Sequence, residues 1–142
     1  MGKKKKEVVR VVLDTNVIIS ALLFTGEVSR VVQLWRVQKM IPVISRETFE
    51  ELRDVLRYPK FNLTDEEILE IIESEILPHF EGIDRVEEIQ NVCRDPDDDK
   101  FIACAISAGV DYLVTGDRDL ADLKRYKNTR ILTVAGFLGL FD

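Results

Sequence analysis

Apolar and polar positions along this chain switch between two periods, and the switching lays out a succession of strands and helices. Val8 to Leu13 is a run of β-branched and apolar residues broken only by Arg10, the pattern of a central strand covered on both faces. Asp14 stands at its carboxyl end. Apolar positions continue from Val17 to Phe24, so a helix is expected to begin just after Asp14 and to stop near Gly26. Val28, Val31, Val32 and Trp35 then recur at helical spacing with Arg30, Arg36 and Lys39 on the other side, which predicts an amphipathic helix.

The short run Ile41 to Ile44 predicts a strand, with Pro42 suited to a strand start or an edge. Ser45 is the expected N-cap of a helix whose buried stripe is Phe49, Leu52 and Leu56, and Tyr58-Pro59 ends it. Thr64-Asp-Glu-Glu67 has the form of a capping box and leads into Ile68, Leu69, Ile72 and Ile76, with Pro78 as the stop. The pattern is weakest over residues 80–92, where a short strand is expected near Phe80 to Ile83. From Asp98 a helix apolar nearly all round runs through Phe101, Ile102, Ala105 and Ile106 to Gly109, its natural C-terminal stop. Tyr112 to Val114 predicts a buried strand ending at Thr115. A short helix over Leu120 to Leu123, a last strand over Arg130 to Val134 and a terminal apolar turn over Phe137 to Phe141 complete the pattern. Strands alternating with helices predict one α/β domain with a mostly parallel sheet.

Composition narrows the setting. A chain of 142 residues suits a single domain that buries roughly 68 to 70% of the surface its unfolded form exposes. The net charge is -6, and setting aside the four lysines Lys3 to Lys6 leaves -10 on the rest. So acidic a body argues against a broad lysine and arginine grip on phosphates, while leaving room for a polyanion wherever metal ions neutralise the acids locally. The basic segment 1–7 reads as a solvated terminus ahead of a domain at 8–142. Cys93 and Cys104 make neither a disulfide framework nor a zinc pair, and no apolar run nears the ~20 residues of a membrane span, so a cytoplasmic protein is expected.

The acids carry the candidate chemistry. In open α/β sheets ligands bind outside the carboxyl ends of the strands, and Asp14 and Asp117 fall at two such ends. Asp99 lies in the first turn of the apolar helix, and Glu51 lies one residue off the core stripe of another. Carboxylates gathered ~4 Å apart repel by several kcal/mol at an effective dielectric near 20, a conflict that a hard divalent cation resolves. An oxygen-only donor set favours Mg2+ or Mn2+ over Zn2+. Simpler roles stand beside this one: Asp14 as a helix N-cap, Asp97 to Asp99 as charges complementing a helix N-terminus, and Glu51 as a solvated surface acid. Lys100, Arg118 and Arg46 are near the acids in sequence and are candidates to contact substrate phosphates. No Gly-rich phosphate loop and no serine nucleophile elbow occurs.

Leu13-Asp-Thr-Asn-Val17, Glu51-Leu52, Asp95-Pro-Asp-Asp-Asp99 opening an Ala-containing helix, and Val114-Thr-Gly-Asp-Arg-Asp119 together resemble the PIN domain family, in order and over nearly the whole chain. The resemblance implies a three-layer α/β/α fold with a parallel central sheet and a Mg2+- or Mn2+-dependent ribonuclease site. It carries the catalytic and metal-binding roles to Asp14, Glu51, Asp99 and Asp117, with Thr15, Asn16, Thr115 and Asp119 as auxiliary residues and Asp98 as the alternative to Asp99. Within the family the chain looks like the VapC-like toxin type, which implies RNA, a cognate antitoxin protein and a second copy of the chain as partners. Asp117 stands where many such members have Asn. The alternative is a catalytically silent RNA- or protein-binding module of the same fold. Phosphatases of the haloacid dehalogenase type also begin strand-Asp, but they need a second Asp two residues on, where this chain has Asn16.

Overall fold

The computed structural model describes residues 8–142, so the lysine run at 3–6 lies outside the described residues. The elements run in the order β1 (Val9–Leu13), α1 (Thr15–Leu23), α2 (Arg30–Arg36), β2 (Met40–Ser45), α3 (Arg46–Leu56), α4 (Asp65–Ile71), α5 (Leu77–His79), β3 (Glu81–Ile83), α6 (Asp99–Ala108), β4 (Tyr112–Val114), α7 (Arg118–Ala121), β5 (Arg125–Tyr126), β6 (Thr129–Leu132) and α8 (Val134–Gly139). They form a six-stranded sheet of order β3-β2-β1-β4-β6-β5, parallel except for β5. No single helix among the described residues is long and apolar enough to cross a membrane.

Strand alternation divides the interior in two. Val11, Leu13, Ile44 and Val114 point to a core built with α1, α2, α3 and α8, where Val17, Ile18, Trp35, Leu52, Leu56 and Phe137 are buried. Val12, Val43, Leu113 and Ile131 point to the opposite core, with Phe101, Ile102, Cys104 and Ala105 of α6 and Leu120 of α7. Period 2 in the strands thus supplies both layers of helices with an apolar face. Arg10, the one break in the first strand, is accounted for by edge contacts. Its guanidinium donates to the Glu81 carboxylate on β3 at 2.7 and 3.0 Å and to the Ala108 carbonyl at the end of α6 at 2.6 Å.

Caps hold the helix ends where the sequence places them. Ser45 Oγ accepts from the Thr48 amide and Thr64 Oγ1 from the Glu67 amide, both in reciprocal capping boxes. Gly109 ends α6 in the left-handed conformation at φ 66°, which a residue with a Cβ adopts only with strain.

The C-terminal third departs from the expected boundaries. α7 begins at Arg118, two residues early, because the Asp117 side chain caps it through the Leu120 amide at 3.0 Å. Thr133 likewise caps α8 from outside, so the last strand stops at Leu132 and the terminal turn is a helix that starts at Val134. β5 forms a two-residue antiparallel hairpin with β6, too short to leave a period in the sequence. Pro78 does not stop the preceding helix outright. The chain loosens into a π turn over Ile72–Ile76, and Pro78 then sits in the first turn of α5, where its missing N–H is tolerated.

This topology sets the place of any site. From β1 the chain builds outward through β2 to β3, then returns to β4 on the other side of β1 and builds outward again to β6. The strand order therefore reverses between β1 and β4, and the crevice at their carboxyl ends is the switch point where α/β sheets bind ligands.

Candidate active site

Register brings the first two acids together. Leu13 pairs with Val114, so the next residues, Asp14 and Thr115, leave the sheet side by side, and the Asp14 amide donates to the Val114 carbonyl at 3.0 Å. Asp14 is buried. Its Oδ1 accepts from the Val17 amide at 2.8 Å, and its Oδ2 accepts from the Thr115 hydroxyl and from the Gly116 amide at 3.2 Å. Asp14 is thus an N-cap for α1 as well as a carboxylate of the crevice. Burial pushes its carboxyl above the usual carboxylate range, opposed by the three hydrogen bonds and reinforced by the Asp117 charge. Thr115 links the two acids, since its Oγ1 also accepts from the Asp117 amide at 2.9 Å.

Two helices bring further carboxylates to the same end. α3 packs against both α1 and α6. Its Glu51 accepts from the Thr15 hydroxyl at 2.6 Å through Oε2 and pairs with the Lys100 ammonium through Oε1. At the start of α6 the acidic pair divides. Asp99 is buried, and its Oδ1 accepts from the Cys93 amide at 2.8 Å, so it fastens the loop before α6 to the helix. Asp98 is half-buried, and its carboxyl is pushed up to about 6, first by burial and then by the charges of Asp117, Asp95, Asp14 and Glu51. Acids from other parts of the chain, Asp14, Glu51 and Asp117, therefore act on Asp98 together with its neighbour Asp95.

The remaining candidates are more peripheral. Asn16 is exposed in the first turn of α1, and Asp119 is exposed with Arg94 4.0 Å away. Arg46 and Arg118 are exposed at the starts of α3 and α7, whereas Lys100 is turned onto Glu51. Sequence reasoning missed three contacts: the Gly116 amide on Asp14, the Cys93 amide on Asp99, and the Lys100 pair with Glu51. The first had a signal in the compact Thr-Gly-Asp. The other two join loop to helix and helix to helix, and sequence spacing carries no trace of them.

The donor chemistry fits a hard divalent cation, because every candidate ligand is a carboxylate oxygen. Among the described residues no three side chains already stand close enough to enclose an ion. Asp14, Glu51, Asp98, Asp99 and Asp117 are the carboxylates available to an ion at this end of the sheet.

A sequence model of the PIN domain family matches residues 10–119, from β1 into α7. The chain belongs to the PIN domain family. The matched span contains each of the acids described above. PIN domains are generally nucleases that act on RNA and typically use divalent metal ions. The chain is also similar to the uncharacterized protein MJ1680 of Methanocaldococcus jannaschii, 31% identical over 131 residues that cover 87% of this chain and 81% of that protein.

The acids of this PIN domain give its metal-free stability a defined pH profile. Asp14 and Asp98 are both raised, so the fold retains protons that the unfolded chain releases, and the Asp98 contribution is lost as pH rises from the usual carboxylate range through about 6. Glu75 acts in the opposite sense. Burial pushes it up, but hydrogen bonds from Arg36 and Trp35 outweigh that and lower it, so its contribution is lost as pH falls below the ordinary glutamate value of 4.5. Thermal melts in EDTA are expected to be highest near about pH 4 to 4.5 and to decline to about pH 6, with saturating Mg2+ removing the decline. A melting temperature in EDTA that rises between roughly pH 5 and pH 6 contradicts this assignment.

Proposed function

We propose that this PIN domain is a Mg2+- or Mn2+-dependent endoribonuclease, with Asp14, Glu51, Asp98 and Asp117 holding the ion or ions. The observation that carries the reading is that Asp14 leaves β1 at the β1/β4 switch point with the Thr115 hydroxyl joining it to Asp117, while the neighbouring Thr15 hydroxyl holds Glu51 of α3. When bound, the ion supplies Lewis-acid polarisation of the phosphodiester and lowers the pKa of water.

The protein's own groups supply position. The Thr115 hydroxyl and the Val17 and Gly116 amides fix both oxygens of Asp14, and the Thr15 hydroxyl orients Glu51. Asp117 and Asn16 lie on the exposed side, where the RNA backbone enters. Exposed Arg46 and Arg118 are available to its phosphates. Asp99 acts through the loop it fastens, and Asp119 is auxiliary at the rim. Water adds to phosphorus, an ester P–O bond breaks, and the departing oxygen is protonated from solvent.

The resemblance to VapC-like sequences supports a cytoplasmic toxin that pairs with an antitoxin protein and forms a homodimer. Exposed Phe24, Leu69 and Leu77 offer apolar surface for such partners. Incubation of labelled single-stranded RNA with the pure protein is expected to give internal cleavage in Mg2+ or Mn2+ and none in EDTA. Cleavage unaffected by EDTA overturns the metal mechanism. Tight RNA binding without divalent-ion binding or cleavage would instead mark a silent binding module.

A further inference from the structure

Lys100 is the least exposed charged nitrogen at the site, its side chain retaining 15% of its accessible surface, and it is spent on one acid. Its ammonium contacts Glu51 Oε1, while Thr15 holds Oε2, so both oxygens of the acid that α3 contributes are engaged before any ion arrives. The pair joins residues 49 apart in sequence, on α3 and α6, two helices that pack together. Lys100 and Asp99 also line an open cavity of about 520 Å3 together with Glu47 and Asp97, outside the β1/β4 crevice. An ammonium leaving Glu51 therefore has an acid-lined, solvent-filled space within reach of its flexible stem.

We propose that Lys100 is a built-in counter-cation for Glu51, holding α3 to α6 in the metal-free protein and giving up Glu51 when a divalent ion binds. The proposal rests on the divalent-metal reading above. Two cations on one carboxylate repel, so ion binding at Glu51 and the Lys100 contact compete. The ammonium then turns toward Glu47 and Asp97, and Glu51 exchanges one positive partner for another without an interval as a bare, crowded acid. Lys100 is in this sense a positioning residue, acting through Glu51.

The test uses the full chain, with Mg2+ and Mn2+ as probes, and reads melting temperature and calorimetric affinity. Lys100→Met is expected to melt several degrees below wild type in EDTA, with the deficit vanishing at saturating Mg2+. It is also expected to bind the ion about three- to tenfold more tightly, because the competitor is gone. Lys100→Arg, whose fork grips a carboxylate through two bonds, is expected to keep the metal-free melting temperature and to weaken ion binding severalfold. It carries the test if Lys100→Met does not fold without metal. A melting deficit in Lys100→Met that persists at saturating Mg2+ overturns the proposal, since the pair then survives ion binding. Weaker ion binding by Lys100→Met overturns it as well, because Lys100 would then be orienting Glu51 as a ligand. Unchanged affinity in Lys100→Arg reduces the effect to charge at a distance and also refutes exchange. Wild-type protein that takes up neither ion, by heat or by melting shift, refutes the metal site itself.

Discussion

Asp14→Asn is expected to lower divalent-dependent RNA cleavage by about 100- to 1,000-fold, the range seen when one electrostatic stabiliser of a transition state is removed. Asp14 is the acid held most rigidly: Val17, Thr115 and Gly116 fix its two oxygens at the switch point. Asparagine keeps the shape and can still cap α1 through its carbonyl oxygen, but its amide nitrogen then faces the Gly116 amide, donor against donor. Relief from burying a charge offsets that loss, so the variant should remain folded. Cleavage rates with Mn2+, compared alongside circular dichroism melts, check both statements. Wild-type cleavage by a folded Asp14→Asn protein would remove Asp14 from the mechanism and the metal reading with it.

The second large effect separates two neighbouring residues. Asp98→Asn should weaken Mg2+ or Mn2+ binding by roughly tenfold or more and suppress cleavage, since it deletes a carboxylate on which the charges of Asp117, Asp14 and Glu51 all act. It should also raise metal-free stability near neutral pH, because a repelled, half-buried charge is gone. Asp99→Ala should do the reverse. It leaves the buried Cys93 amide without an acceptor, at a cost of about 1 to 3 kcal/mol, while keeping ion affinity closer to wild type. Urea unfolding and calorimetric titration on both variants read the two axes separately. Lost ion binding in Asp99→Ala together with full binding in Asp98→Asn would return the ligand role to Asp99.

Much of the architecture was legible because it depends on local periodicity. Val11, Val12 and Leu13 had to feed two apolar layers, and Ser45, Thr64 and Gly109 carry the chemistry of helix ends in a single side chain or its absence. Legibility failed where an element was too short to show a period, as at β5, or where a side chain outside the pattern set the boundary, as Asp117 does for α7 and Thr133 for α8. Over residues 84–98 the chain has no periodic apolar pattern, and its anchoring by Asp99 through the Cys93 amide is a tertiary contact.

For the site the division is equally physical. The sequence alone determined which residue types stand at strand ends and helix starts, and hence that Asp14, Glu51, Asp117 and one or both of Asp98 and Asp99 were candidates for cation chemistry. Spacing along the chain states nothing about direction, and adjacent residues at the start of α6 project about 100° apart. Only the tertiary structure bonded Asp99 to the Cys93 amide and set Asp98 within the influence of Asp14, Glu51 and Asp117, and only the packing of α3 on α6 laid Lys100 against Glu51. Those contacts join distant parts of the chain, and their geometry is set by how the layers pack on the sheet.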